Sequence, residues 1–168
     1  DLDNCGIGDE DLEDLEECFE NVGRASYSSM NYNSLTELPG GENGIFAGSD
    51  SLESLMLNQN NMETLYVESF GGLGGALTSL SIIQSRSTTI AVGCFDNLVG
   101  LQTMILYGSD LAWLPVGAFR GLGELGTLSL AGNSLSTLPA GLFDEMEGLT
   151  VLDLTENEGL QSVPSWQG

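Results

Sequence analysis

The chain repeats its own leucine pattern at a fixed interval. Leucine-led segments begin at Leu77, Leu101, Leu125 and Leu149, so neighbouring segments lie 24 residues apart (101−77, 125−101, 149−125). A period in the twenties indicates a solenoid, in which each turn of chain buries its apolar side only against the turns before and after it.

The unit that begins at Leu125 shows what one repeat contains. Its leucines follow the order Leu-x-x-Leu-x-Leu, and Asn133, a Leu-Pro step at 138–139 and Phe143 come after them. Five further units fit this frame, and their first framework residues are Met30, Leu52, Leu77, Leu101 and Leu149. The sequence therefore predicts about six repeats.

Each type of residue that recurs in this frame has a physical role. The alternating leucines point to one side of a short strand, and strands of successive turns pair into a parallel sheet. The Asn at the following bend can both donate to and accept from backbone groups that the bend leaves unpaired. Ser85 and Ser109 replace this Asn in two units, where we expect the bend to be less completely satisfied. The later Phe fills the wider, convex half of the turn.

This pattern resembles that of the leucine-rich repeat family, in particular its longer "typical" subclass with a Phe in the convex half. The resemblance covers residues 25–164 and implies an α/β solenoid: an arc with a parallel concave β-sheet and a mostly irregular convex side. Residues 1–24 are then an N-terminal capping segment. Residues 165–168 are a short tail, which we interpret as truncated from a longer protein.

The predicted cap combines an amphipathic helix with two cysteines. Within residues 9–20, apolar side chains recur at helical spacing between acidic ones, so a helix can cover the first repeat. The family resemblance implies a Cys5–Cys18 disulfide of the kind found in caps of secreted members. The alternative is two free thiols in a cytosolic protein. Cys94 stands beside Phe95 and is expected to be a buried, small apolar residue.

The charge balance excludes several classes of function. The chain has 25 acidic and 3 basic residues, a formal net charge of −22, and should repel nucleic acids and anionic membranes. This acidity fits either adaptation to saline surroundings or a docking surface for a basic partner. No His is present, so the commonest general base is missing and we predict no catalytic residues and no enzyme activity.

No cofactor or metal site is predicted. The first residues place Asp1, Asp3 and Asp9 at spacings that resemble part of a calcium loop. Cys5 and Leu12 stand at two positions where that loop needs ligands, so the pattern is incomplete.

The binding prediction concerns the side chains that point away from the core, onto the concave outer face of the sheet. Seven of them are the candidate ligand-binding residues: Met56, Asn58, Ser81, Ile83, Thr103, Ile105 and Tyr107. We expect the four apolar members to form one central patch with the polar members as its rim. The alternative is a scatter of ordinary exposed apolar side chains.

These observations predict a non-catalytic recognition domain that binds a protein or peptide. The resemblance favours the extracellular ectodomain of a cell-surface receptor, or a secreted binding protein, with any membrane anchor in a segment beyond residue 168. The alternative is an intracellular scaffold or regulatory domain attached to a kinase or GTPase. The oligomeric state stays open.

Overall fold

A six-stranded parallel sheet is the main element of the computed structural model, which describes residues 1–3, 5–12, 25–40, 44–86 and 88–165. The strands of this sheet, in spatial order, are β1 (Tyr27–Ser29), β2 (Ser54–Met56), β4 (Ser79–Ser81), β6 (Thr103–Ile105), β7 (Thr127–Ser129) and β8 (Val151–Asp153). A second sheet on the other side of the chain pairs β3 (Thr64–Leu65) with β5 (Thr89–Ile90) in parallel. The predicted parallel solenoid is confirmed.

The register follows the sequence period from strand to strand. Leu80 pairs with Leu55 on one side and with Met104 on the other, and Met104 pairs with Leu128. These central strand residues have no exposed surface, so the core is a continuous column under the sheet. The first and third residues of each strand point the other way, onto the outer face, because side chains alternate along a strand.

Asparagines hold successive repeats together at the bend after four of the six strands of the main sheet. The Oδ1 atom of Asn133 accepts hydrogen bonds from the backbone amides of Ser109 and Leu111 in the preceding repeat, at 3.0 and 3.1 Å. Its Nδ2 atom donates to the carbonyls of Leu106 and Leu130, at 2.7 and 2.8 Å. One buried side chain thus satisfies backbone groups from two repeats, which would otherwise be costly to bury.

The two serines at this position are weaker substitutes, as predicted. The Ser109 hydroxyl donates to the carbonyl of Ile82 at 3.3 Å, so it replaces part of the asparagine's contacts. The Ser85 hydroxyl is buried and finds no hydrogen-bond partner among the described residues. The link between repeats is therefore least complete at Ser85.

The residue before each of these bend positions lies in the left-handed region of backbone conformation. The six residues, with φ between 55 and 67°, are Tyr32, Gln59, Gln84, Gly108, Gly132 and Glu156. Only two are glycines, although an L side chain in this region costs about 1–2 kcal/mol. The inward turn is thus imposed by the repeat, since four side chains accept a conformation that they do not favour alone.

Phenylalanines stack along the half of the solenoid opposite the sheet. Ring centroids are 6.5 Å apart for Phe46–Phe70, 5.6 Å for Phe70–Phe95 and 6.2 Å for Phe95–Phe119, with nearly parallel rings. All four rings and Phe143 are buried. Offset stacks of this kind add stability beyond that of the apolar area that they bury. The Phe column is therefore a second continuous part of the core.

The N-terminal segment packs on the first repeat as a preceding turn would. Asn33 accepts hydrogen bonds from the amides of Cys5 and Ile7, at 3.1 and 3.0 Å, and donates to the carbonyl of Leu2 at 2.9 Å. Ile7 and Leu12 belong to the buried core cluster. These contacts match those that Asn133 makes with its own preceding repeat, so residues 1–3 and 5–12 cover the end of the column.

Two acidic residues of this segment make specific contacts with the first repeat. The carboxylate of Asp3 accepts from the amide of Asn31 at 2.7 Å and from the Ser29 hydroxyl, and that hydroxyl contact is the main reason why the pKa of Asp3 is lowered. Asp9 accepts from the amide of Thr36 at 2.9 Å. Part of the N-terminal acidity therefore serves packing, and Asp3 is occupied by protein donors.

The helix and disulfide predictions fall mostly outside the described residues. The described part of the predicted helix over 9–20 is a 3-10 turn, Asp9–Asp11, and residues 13–20 lie outside. The Cys5 thiol is exposed and no disulfide joins the described cysteines; its predicted partner, Cys18, is also outside, so this bond stays a prediction. Cys94 is buried as expected, and burial raises the pKa of its thiol.

The last strand is less covered than the others. Leu152 and Leu154 are only partly buried, whereas the equivalent Leu128 and Leu130 of the preceding repeat have no exposed surface. The physical reason is position, because β8 pairs with β7 on one side only.

Replacing Ser85 with Asn should stabilise the fold. An amide there can reach the backbone groups that Asn133 reaches in its own repeat, so we expect the free energy of unfolding to rise by about 1 kcal/mol. For a chain of this length the melting temperature should rise by about 2–4 °C, measured by thermal unfolding. Ser85→Ala is the matched control, since it removes the unpartnered hydroxyl without adding an amide. A Ser85→Asn protein less stable than the Ser85→Ala protein would contradict the prediction.

Candidate binding face

The outer face of the sheet consists of three rows of side chains that run across the strands. The first row contains Tyr27, Ser54, Ser79, Thr103, Thr127 and Val151. The second contains Ser29, Met56, Ser81, Ile105, Ser129 and Asp153. A third row follows two residues later, where the ladder continues, for example from the Gln84 amide to the Tyr107 carbonyl at 2.8 Å. This row contains Asn31, Asn58, Ile83, Tyr107, Ala131 and Thr155.

The N-terminal segment closes one end of this face. Ser29 and Asn31 are buried beneath their contacts with Asp3. Tyr27 stays 47% exposed, and its hydroxyl lies 3.5 Å from the sulfur of Met56. The open part of the face therefore begins at Tyr27 and Met56.

A polar pair separates Met56 from the other predicted apolar contacts. The Ser81 hydroxyl donates to Oδ1 of Asn58 at 2.8 Å, and the same oxygen accepts from the amide of Ile83 at 2.9 Å. In the second row Ser81 stands between Met56 and Ile105. Ser81 is only 8% exposed, which leaves it little surface for a ligand. The predicted single patch is thus two clusters, with Met56 beside Tyr27.

The structure brings the three remaining apolar candidates together. Ile105 and Tyr107 lie on the same side of one chain segment, and Ile83 occupies the position beside Tyr107 in the third row. Strands are about 4.8 Å apart, so these side chains are neighbours. All three are partly exposed, and Thr103 precedes Ile105 on the same face. We call Ile83, Ile105 and Tyr107 the apolar cluster.

Tyr107 reaches across two repeats to an acidic residue. A Cβ atom built on Gly132, where φ is +67°, would lie 2.9 Å from Cε2 of Tyr107, so the ring crosses the backbone of the next repeat at that glycine. Its hydroxyl donates to Oε2 of Glu156 at 3.1 Å. This hydrogen bond, then the negative charges of Glu156 and Asp153, raise the pKa of Tyr107. The ring is thereby fixed in one orientation at the edge of the apolar cluster.

Asp153 is the one charged side chain in the three rows. Its Oδ1 atom accepts from the amide and the hydroxyl of Thr155, at 3.0 and 2.7 Å. These hydrogen bonds lower the pKa of Asp153, the hydroxyl more than the amide, so the carboxylate is ionised at neutral pH. The outer face therefore changes from uncharged to acidic towards β8.

Sequence reasoning missed the contact between Tyr107 and Glu156 at the acidic end of this face. Glu156 occupies a bend position that is glycine in the two preceding repeats, and its contact with Tyr107 joins residues 49 apart in the chain. The period of the repeat gives each position its row. It does not show that the ring of Tyr107 extends over Gly132 of the next repeat and reaches Glu156 in the repeat after that.

Other kinds of site find no support in the described part of the chain. No group of three or more His, Cys, Asp or Glu residues there is arranged to hold a metal ion. None of its helical segments has the length and hydropathy that crossing a bilayer requires. A polar recess of about 600 Å³ on the side of the small β3–β5 sheet is open and includes Glu63 and Arg86.

The Tyr107–Glu156 contact can be tested by titration. Removing the charge in Glu156→Gln should lower the pKa of Tyr107 towards that of an ordinary phenol, because the carboxylate stabilises the protonated hydroxyl. The measurement is tyrosinate absorbance against pH, with the Tyr107→Phe protein subtracted to isolate this residue. The contact's contribution to stability should be present below the ordinary phenol pKa and lost as pH rises through the higher folded value.

Glu124→Gln, at an exposed acid outside the three rows, is the matched control. It should leave the Tyr107 titration nearly unchanged. Equal titration curves for Glu156→Gln and Glu124→Gln would show that Tyr107 senses only the overall charge of the protein.

Comparisons with known proteins agree with this architecture. A family model described as leucine rich repeat matches residues 100–158. No curated protein matches the chain. A similar solved structure is a chain from the Toll–Spatzle complex, described as a molecular hub in Drosophila development and innate immunity. It aligns with a TM-score of 0.74 and 25% sequence identity over 89% of this chain, which spans 19% of that one.

The repeated frame, the parallel solenoid and these matches lead to one assignment. Residues 100–158 match the leucine-rich repeat family, and the described chain has the fold of a leucine-rich repeat solenoid.

Proposed function

We propose that this leucine-rich repeat domain is a non-catalytic recognition domain that binds a protein or peptide on the outer face of its sheet. The observation that carries the proposal is the contrast in charge between this face and the whole chain. Three rows across six strands hold one charged side chain, Asp153, whereas the chain has a formal net charge of −22. A nearly uncharged, partly apolar face on a strongly acidic protein is suited to burial against a partner.

The apolar cluster is the centre of the proposed contact. Large apolar and aromatic side chains near the middle of an interface dominate binding energy. Their polar neighbours contribute less and fix how the ligand is aligned on the face. Thr103 and Asn58 border the cluster and are the proposed polar contacts. The Oδ1 atom of Asn58 accepts hydrogen bonds from the Ser81 hydroxyl and the Ile83 amide, so Asn58 presents a fixed side-chain amide rather than a mobile one.

The face is also rigid before a partner arrives. Its strands are paired on both sides except at β1 and β8, and asparagine side chains fix the bends after β1, β2, β7 and β8. Backbone groups in the sheet are already used, so recognition must come from side chains. Little ordering is then needed on binding, which favours affinity for a given contact area.

The proposed setting is extracellular, in a receptor ectodomain or a secreted binding protein. Similarity to a chain of the Toll–Spatzle complex supports this setting, as does the way in which residues 1–12 cover the first repeat. The "typical" subclass, the capping helix and the Cys5–Cys18 disulfide belong to the same proposal. Neither nucleic acid nor a membrane surface is a proposed partner, because the chain is strongly acidic.

Substitutions in the apolar cluster should weaken binding of peptides selected on this domain. We would select random linear peptides against the immobilised protein and measure the affinity of enriched ones by calorimetry. Ile83→Asp and Tyr107→Ala should each cost about 2 kcal/mol or more, roughly a thirtyfold loss. Val116→Asp is the matched control, since Val116 is 67% exposed and lies outside the three rows. Unchanged affinity in both cluster variants would move the binding site elsewhere.

The cellular setting can be tested by counting free thiols in the denatured, unreduced protein. Of the three cysteines, only Cys94 should react if Cys5 and Cys18 are bonded as in an extracellular cap. Cys94 is buried in the folded protein, so denaturant is needed to expose it. Three reactive thiols in protein produced by secretion would contradict the extracellular assignment and favour the intracellular alternative.

A further inference from the structure

We propose that the partner presents an arginine two or three residues from an aliphatic side chain, with the aliphatic group on the apolar cluster and the guanidinium at Tyr107, Asp153 and Glu156. This inference rests on the proposed function and specifies the chemistry of the ligand. Three observations carry it: the position of the cluster beside the acids, the absence among the described residues of a cation that neutralises them, and a recess next to Glu156.

The acids and the cluster meet at Tyr107. The hydroxyl of Tyr107 is 3.1 Å from Oε2 of Glu156, and Asp153 is close enough to affect its ionisation. In the second row Asp153 lies two strands beyond Ile105. One polypeptide segment lying across these strands would therefore contact apolar and acidic groups in succession.

No cation of the described chain reaches these carboxylates. The single ion pair among the described residues joins Arg120 to Asp96, on the opposite half of the repeat. Arg86 lines the separate recess near Glu63. Asp153 is ionised and held by Thr155, and Glu156 is held by Tyr107, so two oriented negative charges face outward.

A recess beside Glu156 gives a cation room to approach. It measures about 500 Å³ and is lined by Gly132, Ser134, Glu156 and Glu158 among others. Gly132 is also the residue over which the Tyr107 ring passes. The recess therefore shares Gly132 and Glu156 with the Tyr107 contact, and its lining adds the carboxylate of Glu158 to those of Asp153 and Glu156.

Arginine fits this arrangement better than lysine. Its planar guanidinium can donate to two carboxylates at once and stack on an aromatic face, here that of Tyr107. A lysine ammonium is a compact point charge and gains less from two separated acceptors.

The spacing in the partner follows from sheet geometry. Two strand separations are about 10 Å, and an extended chain advances about 3.3 Å per residue. Two or three residues therefore separate the aliphatic group above Ile105 from the arginine at Asp153.

A second copy of this chain is not the proposed occupant. It would bring a further net charge of −22, and it has only three basic residues, one of them already paired with Asp96. Two such chains repel each other. A different polypeptide with a basic, apolar segment is the complementary partner.

The experiment uses the peptides selected above, at about 150 mM salt so that charges beyond roughly 8 Å are screened. Enriched sequences should contain Arg two or three residues from Leu, Ile, Val or Met. Replacing that Arg with citrulline, its uncharged isostere, should lower affinity at least about tenfold. The double variant Asp153→Asn/Glu156→Gln should cause a similar loss. The control Glu124→Gln/Glu147→Gln removes the same charge from exposed positions outside the rows and should retain affinity.

The outcomes separate this inference from the proposed function. Peptides that depend on Ile83 but contain no basic residue would overturn the arginine inference and leave the binding face intact. An equal loss of affinity in the control double variant would show that the effect comes from the overall charge of the protein. That result would also overturn the inference. Peptides indifferent to Ile83→Asp and Tyr107→Ala, or no enrichment at all, would contradict both.

Discussion

The bend after each strand is the constraint on which the rest of the structure depends. A solenoid must turn its chain inward once per repeat, and each turn leaves backbone groups buried without partners from regular structure. Asn133 and its equivalents satisfy groups from two consecutive repeats with one amide. Because the same side chain bonds both repeats, it also fixes their relative register. The left-handed residue before each bend is the conformational cost of that arrangement.

This register determines the binding face. Side chains that lie 24 or 25 residues apart become neighbours about 4.8 Å apart, so single positions in the repeat become continuous rows. The core rows are filled by Leu, Met and Phe, which leaves the outward rows free to vary. Ile83, Ile105 and Tyr107 form one cluster for this reason, although 24 residues separate the first from the last (107−83).

Some acidic residues make packing contacts and others face solvent, and the two kinds lie at opposite ends of the outer face. Asp3 and Asp9 accept hydrogen bonds from the first repeat and hold the N-terminal segment over the core. At the other end, Asp153 and Glu156 stand beside Tyr107 and have no basic neighbour among the described residues. Acidic residues therefore cover the face at its β1 end. At its β8 end they stay open to a cationic group.

The sequence by itself determined the solenoid, the parallel sheet, the buried Phe column and the weakness at Ser85, because a fixed period assigns every residue to a row. It also placed the seven candidate residues on the outer face of the sheet, and their role in binding stays a prediction. Only the tertiary structure decided how these side chains combine. The Ser81–Asn58 hydrogen bond divides Met56 from the apolar cluster, and Tyr107 crosses Gly132 to reach Glu156. A repeat period specifies where each Cα lies, whereas contacts between outward side chains depend on their rotamers and on neighbours in other repeats.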